Sequence, residues 1–158
     1  MTPRSAFAVA AGSAWVLDVA TKVWAAAYLD DRSIPLLGGR LLLRESRNTG
    51  AAFSIGTGST VLISLVGIAV VLWILFYLRR VTSRAQAVGL GLVAGGALGN
   101  VTDRLLRSPG PLRGGVVDWL DLGWFPSFNA ADSAITVGAG LLLLTSYLQE
   151  RRARRAQA

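Results

Sequence analysis

The segment VLISLVGIAVVLWILFYL, residues 61–78, carries no charge and is close to the length that crosses a membrane. A helix that spans the hydrocarbon core needs about 20 predominantly apolar residues. Three further apolar segments occupy residues 5–29, 85–106 and 128–148. The sequence therefore predicts an all-α integral membrane protein with four transmembrane helices.

The composition agrees with this class and excludes several kinds of chemistry. The chain has 158 residues, a net charge of +7, and neither Cys nor His. That length suits a single domain, residues 1–158. The positive charges lie between and after apolar segments, so a membrane explains them better than a nucleic acid partner does. Without Cys or His there is no disulfide, thiol nucleophile, Ser-His-Asp triad or usual zinc site.

Arginines near the ends of the apolar segments predict the orientation, because cytoplasmic loops are enriched in Arg and Lys. Eight arginines fall on one side, including the RRARR tail at residues 151–155, and six on the other, where five acidic residues partly offset them. We expect both termini in the cytoplasm and both longer connections outside. A cleaved N-terminal signal peptide is the less favoured alternative, because the apolar run continues past the small residues 10–14.

The two outer connections differ in character. Residues 34–55 hold Leu-rich stretches flanked by Gly38–Gly39 and by Asn48–Thr49–Gly50, a pattern typical of a hairpin. This predicts a small extracytoplasmic β-element between the first two helices. Residues 107–127 are rich in Pro and Gly and are predicted to form a loop.

Two aspartates are the main candidates for chemistry. Asp132 lies in FNAADSAI at the start of the fourth apolar segment, and Asp118 lies 14 positions earlier in GGVVDWLDLG. A carboxylate at membrane depth is unfavourable, which suggests a functional site. Two carboxylates that share one proton can activate water without histidine or cysteine. We therefore expect the loop to fold Asp118 back onto Asp132.

The other polar residues of the apolar segments each allow a structural role. Asp18 and Lys22 are spaced i, i+4 and are predicted to pair as structural ions, which weakens Lys22 as a catalytic base. Asn100 and Arg104 have the same spacing and could bind either substrate or backbone carbonyls. Asp103 could cap its segment.

Two further patterns concern helix ends and helix packing. Asn129 and Asp132 are spaced i, i+3 at a helix start, where an acid also favours the helix dipole, so capping is an alternative role for them. Gly91, Gly95 and Gly99 repeat every four residues and predict a surface for close helix packing.

Five motifs occur in an order that resembles one family, the lipoprotein signal peptidases (signal peptidase II), which are membrane aspartyl proteases of bacterial lipoprotein maturation. They are DVATK (18–22), NTGAAFS (48–54), GGALGNVTDR (95–104), VVDWLD (116–121) and FNAADSAI (128–135). Any one of them alone would be a weak signal. Together they cover nearly the whole chain.

The resemblance implies a catalytic dyad and a set of supporting residues. The dyad would be Asp118 and Asp132. The supporting and substrate-binding positions would be Asp18, Lys22, Asn48, Gly50, Asn100, Asp103, Arg104 and Asn129. Residues 34–55 would form the family's β-cradle. No metal and no cofactor are expected.

The resemblance also implies a substrate and a location. The substrate would be a diacylglyceryl-modified prolipoprotein, cut on the N-terminal side of its lipidated cysteine. The enzyme would be a monomer in contact with membrane lipid, in the bacterial cytoplasmic (inner) membrane, with its active site near the outer leaflet. Two other functions stay open: a transporter or proton-coupled channel, and a non-enzymatic assembly or sensor subunit. The channel is disfavoured because the polar residues gather at one side instead of forming a path across.

Overall fold

Four long helices account for most of the described residues, which are 1–50 and 60–157 of a computed structural model. The helices are α1 (Pro3–Tyr28), α2 (Thr60–Tyr77), α3 (Arg84–Leu106) and α4 (Ala130–Ala156). They occupy the four predicted apolar segments, except that α4 continues beyond residue 148 into the arginine-rich tail. Residues 51–55 of the predicted β-element, which include part of the NTGAAFS motif, lie outside the described residues.

Three helical segments are long and apolar enough to cross a membrane: Pro3–Tyr28, Thr60–Arg80 and Ala130–Ala156. The sequence predicted four spans, so the described residues support three of them by length and composition. The helix that differs is α3, which packs against each of the other three helices. A helix covered by protein on several sides needs less apolar surface than one that faces lipid.

Glycines allow α1 and α3 to approach closely. A Cβ on Gly91 would lie 2.9 Å from the Cβ of Ala10, and one on Gly95 would lie 2.9 Å from the Cβ of Ala14 and collide with the carbonyl of Ala11. A Cβ on Gly99 would collide with the Asp18 carboxylate. The predicted packing role of this glycine repeat is confirmed. Its neighbours Gly89 and Gly96 bring α3 equally close to α4.

A three-stranded antiparallel sheet covers one end of the helices. Its order is β1 (Ser33–Leu36), β2 (Leu41–Asn48) and β3 (Val116–Asp121). The turn between β1 and β2 contains Gly38 and Gly39 at φ +67° and +87°, a conformation that side chains other than glycine rarely adopt. The hairpin predicted within residues 34–55 is therefore present in the part of that range that is described.

The third strand corrects the prediction that residues 107–127 form only a loop. The sequence VVDWLD contains β-branched and aromatic residues, which favour strands, and it pairs with β2 so that Asp118 faces Ser46 across the ladder. The Pro and Gly residues around it concealed this short strand. Asp118 is thus held by a sheet rather than carried on a loop.

A buried ion cluster connects α1, α3 and β3. The Nζ of Lys22 lies 2.7 Å from Asp18 Oδ2 and 3.1 Å from Asp103 Oδ2. All three side chains are buried. The predicted pair of Asp18 and Lys22 is confirmed. Asp103 does more than cap a helix, because it also pairs with Arg107 and accepts a hydrogen bond from the Val117 amide at 3.2 Å.

We expect Gly95→Leu to destabilise the protein. The new side chain would push against the backbone of α1, and overpacking of this kind costs about 1–3 kcal/mol. Thermal unfolding in detergent measures the effect. Gly140→Leu is the matched control, because a Cβ at that helical position meets nothing within 4 Å. Equal stability of the two variants would contradict the close packing of α1 and α3.

Lys22→Met should lower stability more strongly. It leaves the buried Asp18 carboxylate without a cation and leaves Asp103 with Arg107 alone, and breaking a buried ion pair costs about 3–5 kcal/mol. The control is Arg154→Met, which breaks an exposed i, i+4 pair with Glu150. Solvent screens that pair, so its loss should have little effect on the unfolding midpoint. A Lys22→Met protein as stable as the control would exclude the cluster as a stabilising element.

Candidate active site

Asn129 joins the two candidate aspartates. Its Nδ2 donates to Asp118 Oδ1 at 2.6 Å, and its backbone N–H donates to Asp132 Oδ2 at 3.3 Å. The Asp132 amide in turn donates to Asn129 Oδ1 at 3.0 Å, which completes a capping box at the start of α4. Asn129 and Asp132 therefore cap the helix, as one alternative predicted, and the same cap binds the carboxylate on β3.

Asn100 approaches Asp132 from α3. Its Nδ2 donates to Asp132 Oδ1 at 2.9 Å, while its Oδ1 accepts from Lys22 Nζ at 2.8 Å and from Asn129 Nδ2 at 3.3 Å. An ammonium group can only donate, so Lys22 requires the oxygen of the Asn100 amide to face it. The amide N–H groups of Asn100 are consequently directed at Asp132. The ion cluster thus fixes the orientation of a side chain in the candidate site.

The surroundings of Asp118 raise its pKa to about 7. The largest cause is burial, which disfavours the charged carboxylate, and the negative charge of Asp132 adds to it. Hydrogen bonds from Asn48, at 3.2 Å, and from Asn129 oppose the shift because they favour the charged form. Asp118 therefore holds a proton through most of the range below neutral pH.

Arg104 holds the backbone around the site. Its guanidinium donates to the carbonyl oxygens of Asn48 at 3.0 Å, Gly114 at 2.9 Å and Gly50 at 2.5 Å, and its side chain is buried. Of the two predicted alternatives, the backbone carbonyls are therefore the ones observed. These contacts fix the end of β2 to the residues that lead into β3, so they hold Asn48 close to Asp118.

A cavity of about 850 Å³ is lined in part by the two aspartates. Its polar end includes Asp118, Asp132, Asn48 and Asn100, and most of the remaining wall is apolar. That wall comes from α2, α3, α4 and the segment before α4, and includes Ile63, Val66, Gly67, Val70, Val93, Ala97, Val101, Phe125, Pro126, Phe128, Ile135 and Val137. This lining suits an apolar molecule that carries a polar reacting group.

The contribution of α2 to this wall was not predicted. Ile63, Val66, Gly67 and Val70 recur at the spacing of one helix face. Because α2 is apolar on all sides, the sequence does not show which of its faces lines a cavity. Two residues of this face differ from the apolar sequence around them: Ser64, which also lines the cavity, and Gly67, where a Cβ would lie 3.0 Å from Val101 on α3.

The ten predicted site residues form one connected set. Asp118, Asp132, Asn48, Gly50, Asn100 and Arg104 line the cavity, and Asn129 binds both aspartates. Asp18, Lys22 and Asp103 lie behind them in the ion cluster. Asp18 also accepts a hydrogen bond from the Ala131 amide at 2.8 Å, so this cluster supports the first turn of α4.

Comparison with known proteins agrees with the resemblance drawn from the motifs. The family model described as Signal peptidase (SPase) II matches residues 10–148. A lipoprotein signal peptidase of Mycobacterium leprae (strain Br4923) is 46% identical over 131 residues, which are 82% of this chain and 65% of that protein. A lipoprotein signal peptidase of Mycobacterium avium (strain 104) is 45% identical over 137 residues, 86% of this chain and 75% of the relative.

Two solved structures share the fold. One is described as a bacterial membrane enzyme structure obtained by the in meso method at 2.3 Å resolution; it has a TM-score of 0.80, 27% identity, and covers 91% of this chain and 88% of its own. The other, at 1.9 Å resolution, has a TM-score of 0.74, 28% identity, and coverage of 88% and 90%. With three helices able to cross a membrane and bacterial relatives, the chain is a bacterial membrane protein. Because the family model spans most of its length, this chain belongs to the signal peptidase II family.

Proposed function

We propose that this protein is an aspartyl endopeptidase that removes signal peptides from diacylglyceryl-modified prolipoproteins, cutting on the N-terminal side of the lipidated cysteine. One observation carries the proposal: Asp118 and Asp132 are both bound by Asn129 at the polar end of an apolar cavity. Membership of the signal peptidase II family supports the substrate class. The chain spans 65% of the length of its M. leprae relative. The motifs at residues 18–135 lie within residues 10–148, which the family model matches.

The two aspartates divide the work of hydrolysis. An ionised carboxylate takes a proton from a bound water, whose oxygen attacks the carbonyl carbon of the scissile bond. The protonated carboxyl donates its proton to the carbonyl oxygen as charge develops there. The tetrahedral intermediate then collapses: one of its hydroxyl groups returns its proton to the pair as the C=O bond re-forms, the C–N bond breaks, and the leaving amine takes a proton from the pair. Asp118 suits the proton-bearing position because of its raised pKa, while the shared proton belongs to the pair as a whole.

The supporting residues hold this arrangement in place. Asn100 and Asn129 direct N–H groups at Asp132 and Asp118, respectively. Lys22 orients Asn100, and Asp18 and Asp103 hold Lys22 in position. Arg104 fixes the backbone on which Asn48 and Gly50 lie. None of these roles requires a metal or a cofactor.

The membrane position follows from the same residues. We take α3 as a fourth span, because it is long enough to cross the hydrocarbon and is packed against three other helices. Its two ends then lie on opposite sides, with both chain termini in the cytoplasm and the aspartates near the outer leaflet of the inner membrane. The protein acts as a monomer surrounded by lipid, since one chain supplies all ten proposed site residues.

Asp118→Asn and Asp132→Asn should each abolish cleavage. Loss of a general acid or base reduces rates by about 10²–10⁴-fold. The measurement is the mobility shift of a diacylated prolipoprotein treated with each purified variant in detergent. Asp121→Asn is the matched control, because Asp121 lies on the same strand and pairs with Arg44 instead of facing the cavity. A folded dyad variant with near-normal activity would remove that aspartate from the mechanism.

Cleavage should also decline above about pH 7. The pair needs one proton, and Asp118, whose pKa is raised to about 7, loses it as the pH rises through that value. Asn48→Ala removes a hydrogen bond that favours the ionised form, so it should raise the pKa of Asp118 and move the alkaline limb to higher pH. The pH dependence of kcat/KM measures both effects. A limb that moves to lower pH in Asn48→Ala would contradict the assignment to Asp118.

A further inference from the structure

The net charge of this protein is confined to one end of the molecule. Eight of its 16 cationic side chains and one of its nine acidic side chains, Glu150, belong to that end. That end therefore carries the whole net charge of +7, and the charges of the rest of the chain cancel. We call this set of arginines the basic end; it consists of Arg4, Arg79, Arg80, Arg84, Arg151, Arg152, Arg154 and Arg155.

The packing of the helices places these arginines at the same end of the molecule. Phe7 of α1, Ile74 of α2 and Leu90 of α3 share one buried apolar cluster, against which Leu142 of α4 packs. The start of α1, the end of α2 and the start of α3 therefore meet, and the middle of α4 packs against them. A cleft between residues 1–5 of the chain and Arg84 lies at the same end.

The C-terminal part of α4 projects past the other helices. A Cβ on Gly89 of α3 would lie 2.9 Å from Leu142, so these two positions are level. Arg84 begins α3 five residues before Gly89, and an antiparallel α4 reaches that level near residue 147. Residues 151–155 then lie about 6–12 Å farther out, at a rise of 1.5 Å per residue.

The arginines of the basic end are also free to bind something outside the chain. All eight side chains are exposed. Among the described residues, Arg154 pairs with Glu150, and the other seven have no ion pair. Repulsion between so many like charges opposes their clustering unless an anionic partner balances them.

We propose that the basic end binds the phosphate-bearing headgroups of anionic phospholipids in the adjoining membrane leaflet. Four helix ends present guanidinium groups just beyond apolar segments, which is the depth of the headgroups. Guanidinium binds phosphate through paired hydrogen bonds, and each arginine near an anionic surface adds to the attraction. The projecting end of α4 widens this contact beyond the bundle. This inference does not depend on the proposed protease activity.

The test compares two triple variants of the full chain with the same net charge of +4. One is Arg151→Gln/Arg152→Gln/Arg155→Gln in the basic end. The other is Arg32→Gln/Arg40→Gln/Arg113→Gln, at three exposed arginines near the sheet that also have no ion pair among the described residues. Each protein is placed in nanodiscs of phosphatidylcholine, with or without phosphatidylglycerol, and its thermal unfolding midpoint is measured.

We expect phosphatidylglycerol to raise the midpoint of the wild-type protein and of the Arg32/Arg40/Arg113 variant. In the Arg151/Arg152/Arg155 variant the rise should fall by at least half, and added salt should weaken it in all three proteins. Midpoints in phosphatidylcholine alone show whether a variant is folded. Equal responses of the two variants would overturn the proposal, because the effect would then follow net charge alone. Binding of RNA that depends on these arginines, with no response to phosphatidylglycerol, would overturn it in favour of a nucleic acid partner.

Discussion

The ammonium group of Lys22 is the contact on which the candidate site depends. It lies in the protein interior between the carboxylates of Asp18 and Asp103, and a buried charge of this kind is tolerated only when it is paired. Each of its three partners makes a further hydrogen bond: Asp18 with the first turn of α4, Asp103 with the start of β3, and Asn100 with Asp132. One cation thereby connects the three elements that carry or orient Asp118 and Asp132.

The close packing of α3 makes this arrangement possible. Glycines on one side of α3 admit α1, and glycines on the other side admit α4. Small residues are the usual means of bringing helices together in membranes, where there is no hydrophobic force between them. Because Gly99 leaves room for the Asp18 carboxylate, the same packing also makes space for the ion cluster. The glycine-containing face of α3 therefore determines both the packing of α1 and the position of the buried charges.

The sequence predicted those parts of the structure that depend on local pattern. The apolar segments, the Gly91–Gly95–Gly99 repeat and the i, i+4 pairing of Asp18 with Lys22 are each readable from spacing alone. The strand containing Asp118 was missed, because its pairing with β2 joins residues far apart in the chain and the surrounding Pro and Gly residues indicate a loop. The contacts of Asp103 with β3 and the role of α2 in the cavity were missed for the same reason: both arise only when distant elements meet.

Asn129 has two roles, capping α4 and binding Asp118, and together they allow fewer amino acids at this position than either role alone. For capping a helix, Asn, Asp, Ser and Thr are nearly interchangeable. Here the side chain must accept from the Asp132 amide with one atom and donate to Asp118 with another. Aspartate would place a third carboxyl group beside the pair and has no N–H to donate, and a hydroxyl offers one atom where two are used. The stability of α4 and the hydrogen bonding of Asp118 thus depend on the same side-chain amide. A substitution of Asn129 that changes one of them also changes the other.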